Sequence, residues 1–176
     1  MATTVDPLAA LADRYQSGGL RFTLGPVEFH ACRRHDDDSR VLAAVFNLTE
    51  LEPPVVAEVT AAAERWARTT FAGWRPIEIH PVSETLYVVV ADDPGGSRPA
   101  DDGAAIRPHT AARAVSLGVQ AARAAEFLLA AGIAVPAIPP GLLRETVDEG
   151  LVILHAWLLP VLPWLLRLGA SAATPA

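Results

Sequence analysis

The segment VLAAVFNL at residues 41–48 determines the predicted architecture. It is apolar at nearly every position, which is typical of a β-strand that is buried on both faces. Upstream, residues 20–24 alternate between apolar and polar side chains, and residues 27–32 resume an extended pattern after a Gly-Pro break. The polar run at residues 33–39 is typical of a turn. Together these segments predict a hairpin followed by a third antiparallel strand.

Beyond this strand the sequence predicts both helices and strands. Residues 55–70 are rich in alanine and place Val56, Val59, Ala63 and Trp66 at helical spacing. The other predicted elements are a lead helix over residues 1–19, strands over 74–80, 86–91 and 151–154, a loop over 92–99 and a long helix over 110–131. Because strands and helices do not alternate regularly, this order favours an α+β fold over a parallel α/β fold.

The composition excludes several functions. The 176 residues carry a net charge of −6, whereas unaided nucleic-acid binding normally needs a basic surface. All fourteen basic residues are arginine, so the lysine-free chain has no amine for a Schiff base or a phosphate-binding P-loop. Cys32 is the single cysteine, which excludes an internal disulfide and favours a reducing, cytoplasmic location. Residues 1–11 lack the basic and apolar regions of a secretory signal, so we expect none.

Several segments then resemble a protein kinase of the bacterial serine/threonine type. LYVVVADDPGGS at residues 86–97 resembles the fifth strand, the hinge and the Gly-Gly-Ser that follows it. LGVQAARAAEFLLAAGI at residues 117–133 resembles the first long helix of the large lobe. The resemblance implies a kinase-like small lobe at residues 20–93, with a five-stranded antiparallel sheet and one helix. A truncated, mainly helical remnant of the large lobe, with an apolar C-terminal extension, is then expected at residues 94–176.

The same resemblance implies that the nucleotide-binding positions of a kinase are degenerate. The glycine-rich loop has three glycines that let the backbone close over phosphates, and here these positions fall on Gly25, Val27 and His30. The lysine of the third strand falls on Ala44. Its glutamate partner falls on Glu64, with Glu58 as the alternative in another alignment.

The catalytic and metal-binding positions are also replaced. The aspartate of His-Arg-Asp falls on Ala137, the loop asparagine on Leu142, and the aspartate of Asp-Phe-Gly on Ala156. Phosphoryl transfer depends on neutralising phosphate charge, which these apolar side chains cannot supply. We therefore expect an inactive pseudokinase without catalytic residues, metal or cofactor.

An inactive, truncated domain of this kind is expected to act through protein contacts, as an accessory subunit or a homo-oligomer. The predicted surfaces are the long helix, whose Val115, Val119, Ala122 and Leu129 share one face, and the apolar C-terminal segment. The candidate contact residues in that segment are Trp157, Leu158, Val161, Trp164 and Leu165.

Other hypotheses stay open at this stage. A small molecule or peptide could occupy the cleft between Val27, Ala44 and the hinge at residues 91–95. Unrelated enzyme chemistry and an ordinary α+β interaction domain are two further alternatives. Residues 151–168 contain two prolines and an arginine, so we expect them to pack on the domain's own long helix or on a partner rather than span a membrane, with contact at the membrane surface as the lesser alternative.

Overall fold

Five antiparallel strands and two long helices organise the chain in a computed structural model, which describes residues 8–67, 77–93, 98–99, 111–130, 138–146 and 150–166. The α+β class predicted from the sequence is confirmed. In chain order the elements are β1 (Tyr15–Leu24), β2 (Val27–Arg34), β3 (Arg40–Asn47), α1 (Pro53–Ala67), β4 (Ile77–Pro81), β5 (Leu86–Asp92), β6 (Arg98–Pro99), α2 (Ala111–Ala130), β7 (Leu143–Glu145) and β8 (Leu151–Ile153).

The main sheet has the strand order β1-β2-β3-β5-β4, and every neighbouring pair is antiparallel. Its central strand β3 pairs Ala44 with Phe29 on one side and with Val89 on the other. Six consecutive residues of β3, from position 41 to position 46, are buried. Since alternate side chains of a strand point to opposite faces, both faces of this strand are covered. The prediction of a doubly buried strand is confirmed.

Helix α1 covers part of one sheet face. Its apolar residues Val55, Val59, Ala62 and Ala63 belong to the same core cluster as the sheet residues Phe46 and Val89. They recur at the three- and four-residue spacing that puts side chains on one side of a helix. The helix begins at Pro53, a residue favoured in the first turn because its missing N–H has no helical partner there.

The predicted lead helix over residues 1–19 is wrong in its described part. Among the described residues before β1, which begins at Tyr15, the one helical element is a short 3₁₀ turn, Ala9–Leu11. Gly18 and Gly19, at the end of the predicted helix, lie inside this strand, where its pairing with β2 shifts. Gly19 has φ +97°, a conformation that glycine adopts without strain. The pair therefore accommodates a bulge in β1.

A second, three-stranded sheet with the order β6-β7-β8 follows, and the sequence had predicted only its last strand. Arg144 on β7 connects it to the end of β5. This buried side chain donates Nε–H to Asp93 at 3.3 Å and Nη1–H to the carbonyl oxygens of Gly141 and Leu143 at 2.8 and 2.9 Å.

One apolar core joins the two regions that the sequence analysis had divided at residue 93. The cluster contains residues of β2, β3, α1 and β5, and it continues through Leu142 and residues 152–165. The C-terminal part of the chain thus supplies one side of the core of the main sheet.

Candidate functional site

Four of the eight positions that the kinase resemblance singles out lie in the apolar core. Val27, Ala44, Leu142 and Ala156 are all buried and belong to one core cluster. Their side chains carry no oxygen or nitrogen, so these four positions form hydrophobic core and themselves offer no phosphate or metal ligand. Ala137 lies outside the described residues.

The other three predicted positions lie at the periphery. Gly25 forms the turn between β1 and β2 with φ +57°. His30 on β2 is half-buried, and its Nε2 lies 3.1 Å from Glu28. Glu64 lies on the exposed side of α1. The structure therefore does not bring Glu64 into the cluster that contains Ala44.

The C-terminal segment, defined as residues 151–166, lies across the face of the main sheet. A side-chain carbon at Gly25 would collide with the carbonyl oxygen of Leu165. The rings of Phe46 and Trp157 have centroids 5.3 Å apart, and the ring of Phe29 meets that of His155 edge to face at 5.5 Å. The segment thus contacts the turn between β1 and β2 and the strands β2 and β3.

His155 fixes this segment to the central strand. Its imidazole is fully buried and lies within hydrogen-bond distance of two groups: Nε2 is 2.8 Å from the carbonyl oxygen of Leu42, and Trp157 Nε1–H donates to Nδ1 at 3.2 Å. Because the carbonyl accepts and the indole donates, the ring is neutral with its proton on Nε2. Burial lowers the pKa of His155 to about 4, and this outweighs the hydrogen bond to Leu42.

Four of the five predicted contact residues in the C-terminal segment are core residues of this chain. Trp157, Leu158, Val161 and Leu165 are at most 1% exposed, which corrects the expectation of a surface for a partner. A 3₁₀ turn at Ala156–Leu158 and a helical turn at residues 162–166 follow the sheet in place of one continuous helix, and Pro160 lies between them. Trp164 remains 38% exposed.

The long helix α2 has the exposed apolar face that the sequence predicted. Val115, Val119 and Leu129 are 67%, 47% and 63% exposed, and Ala122 on the same face is exposed as well. The opposite side contacts the core through Ala124 and through Gln120, whose side-chain oxygen accepts the backbone N–H of Leu151 at 2.7 Å. We call the exposed positions 112, 115, 119, 122, 126 and 129 the α2 seam.

A polar cluster that the sequence analysis missed lies on the other face of the main sheet. The hydroxyl of Tyr15 donates to Glu78 at 3.1 Å and lies 3.1 Å from Nε2 of His80. Arg34 forms ion pairs with Glu78 and Asp92. Burial, followed by the Glu78 charge, raises the pKa of Tyr15 to about 12. The cluster connects β1 and β2 to β4 and β5, and it holds the phenol neutral.

Neither a metal site nor a membrane span is found in the described ranges. Within them, no three His, Cys, Asp or Glu side chains come together in a way that could hold a metal ion. None of the helices described is long and apolar enough to cross a membrane.

No protein-family model matches the sequence, and no curated protein matches it. The kinase resemblance therefore depends on the residues and the geometry of this chain.

Proposed function

We propose that this protein is a catalytically inactive, kinase-like domain that acts as a protein-interaction or accessory subunit. The observation that carries the proposal is the covered sheet face. The C-terminal segment occupies the side of the sheet that contains Val27, Ala44 and Ala91, where the resemblance expects a ligand cleft. This covering also argues against the alternative of a small molecule or peptide in that cleft.

The arrangement of the main sheet supports the kinase-like part of the proposal. The resemblance requires five antiparallel strands with a helix between the third and the fourth, packed on one face, and the chain has this arrangement. The replaced positions support inactivity, because Ala44, Leu142 and Ala156 are buried apolar residues at the places expected for charge-bearing groups. Phosphoryl transfer needs such groups to neutralise phosphate charge.

The α2 seam is the proposed contact surface, and a second copy of this chain is the proposed partner. Its positions follow one another at intervals of three and four residues, the spacing of a two-helix coiled-coil seam. Contacts with Leu151 and the core already hold the helix in place, which lowers the entropic cost of pairing. An antiparallel pair is favoured, since in-register parallel helices would place the two Glu126 carboxylates against each other.

Sedimentation equilibrium across the micromolar range tests this contact. We expect the wild-type chain to form a dimer and Ala122→Asp to be a monomer, because the substitution places a charge in the seam. Ala114→Asp is the matched control, since Ala114 is exposed on the same helix but lies outside the seam. A monomeric wild-type chain, or equal dissociation of both variants, would contradict self-association through α2.

Thermal unfolding with and without Mg-ATP tests whether the covered cleft binds a nucleotide. We expect no stabilisation by Mg-ATP, because the covered cleft leaves no site for it. A nucleotide that bound only the folded state would raise the unfolding temperature, by an amount that grows with the logarithm of its concentration relative to its dissociation constant. A clear increase in the unfolding temperature would contradict the proposal and would show that the C-terminal segment can be displaced.

A further inference from the structure

A cavity of about 280 Å³ lies beside α1, and of the eight positions that the kinase resemblance singles out, only Glu64 is among its described lining residues. Phe46, Val89 and Trp157 form its buried walls, and Val59 and Ala63 contribute from the helix. Part of the remaining lining is only half-buried, including Thr60, Ile79 and Tyr87. The exposed side chains of the lining, Glu64 and Pro81, mark where the cavity reaches solvent.

The chemistry of these walls restricts what they can bind. Most of the lining is aliphatic or aromatic, and the tilted pair of Phe46 and Trp157 presents aromatic surface to the interior. No cation is among the described residues of the lining, so an anion that entered the cavity would lose hydration without gaining an ion pair there. Thr60 adds a hydroxyl that can bind a polar substituent.

We propose that this cavity is a binding site for a small, neutral, aromatic or alicyclic molecule. Its volume lies near the lower end of the range for ligand sites, roughly 300–1,000 Å³, and suits a ligand of two or three rings. An apolar ring system would gain dispersion contacts with the walls and would lose little hydration. The site goes beyond the proposed interaction function, because it shares no residue with the α2 seam.

A pair of fluorescent probes that differ by one charged group tests both the site and the ligand class. N-phenyl-1-naphthylamine is neutral, and 1-anilinonaphthalene-8-sulfonate is the same ring system with a sulfonate. We expect the neutral probe to bind with a saturable rise in fluorescence. We expect the sulfonate to bind at least about tenfold more weakly, because its charge would lose hydration in an apolar cavity.

Matched variants locate the bound probe. Ala63→Leu fills the cavity and should raise the dissociation constant of the neutral probe at least about tenfold. Ala61→Leu makes the same change on the exposed side of α1 and should bind like the wild-type chain. Ala122→Asp should also leave binding unchanged, which excludes the α2 seam as the site of the probe.

Three results would overturn the proposal: no binding by the wild-type chain, equal binding of both probes, or equal binding by Ala61→Leu and Ala63→Leu. Circular dichroism establishes that each variant is folded before binding is measured. If Ala63→Leu does not fold, Thr60→Leu narrows the cavity from a half-buried position and replaces it in the comparison. Unchanged probe affinity in that variant would equally contradict the site.

Discussion

The C-terminal segment and helix α2 both carry runs of apolar side chains, and the sequence suggested both as surfaces for a partner. In the structure, Trp157 and Leu165 of the segment are buried in the core, whereas Val115 and Leu129 of the helix are largely exposed. The C-terminal segment folds into short turns on either side of Pro160, and these turns follow the sheet face. A long helix such as α2 can contact its neighbours along only one side. Apolar content alone therefore does not distinguish core from surface.

The largest difference in stability is expected between truncation of a buried and of a partly exposed tryptophan. Trp157→Ala removes a fully buried indole that packs on Phe46, and we expect it to lower the free energy of unfolding by about 3–5 kcal/mol. Trp164→Ala, at the partly exposed position of the same segment, should cost less than about 1 kcal/mol. Urea unfolding measures both values, and similar losses would show that the segment is not packed as described.

The contact between the C-terminal segment and the first hairpin can be broken at one glycine. Gly25→Ala places a methyl group against the carbonyl oxygen of Leu165 and also requires a positive φ, so we expect a loss of about 2–4 kcal/mol. Gly19→Ala is the control, because Gly19 has a positive φ but no atom within 4 Å of the added carbon. Gly19→Ala should lower the free energy of unfolding by about 1 kcal/mol. Equal costs in urea unfolding would argue against the Leu165 contact.

Acid should weaken the attachment of the segment through His155. In the unfolded chain the imidazole takes up a proton below about pH 6.5, whereas in the folded protein it stays neutral down to about pH 4. The unfolded state therefore binds more protons in this window, and the free energy of unfolding falls as the pH is lowered. We expect this residue to account for a loss of about 2 kcal/mol between about pH 7 and about pH 5.

The pH dependence of urea unfolding in the wild-type chain and in His155→Gln checks this expectation. The variant lacks the titrating ring, so its free energy of unfolding should depend less on pH over the same range. Identical slopes in the two proteins would show that His155 is not buried in its neutral form.

The smallest effect on stability is expected on α2. Val119→Ala removes two methyl groups from an exposed position and should change the free energy of unfolding of the isolated chain by less than about 0.5 kcal/mol. Val161→Ala makes the same change at a position 1% exposed and should cost about 2 kcal/mol. The measurement is urea unfolding at low protein concentration. A large cost at Val119 would mean that α2 is covered within the chain.

Much of the main sheet and both helices could be predicted from local pattern. The continuous apolar run of β3 and the alternation before it depend only on neighbouring residues, and α1 and α2 show regular helical spacing. The exposed face of α2 was also predicted. The beginning of β1 was not predicted, because the pair Gly18-Gly19 is as compatible with a bulge in a strand as with the end of a helix.

The sequence did not show what the C-terminal segment packs on, because that depends on contacts between distant residues. His155 and Leu42 are 113 positions apart, and Tyr15 and Glu78 are 63 apart. Arg144 is similarly buried between β7 and the end of β5, although a lone arginine in a strand usually faces solvent. The cavity beside α1 likewise follows from how the helix and sheet meet, and local periodicity does not encode it.

The residues that complete the core follow the main sheet in the chain, and this order affects folding during synthesis. Synthesis runs from the N-terminus, so all five strands of the main sheet leave the ribosome before residues 151–165, which cover one of its faces. Until those residues emerge, the nascent sheet exposes Phe29, Phe46 and neighbouring apolar side chains. Such exposure promotes aggregation and chaperone binding, so the core is expected to close only after residues 151–165 have emerged.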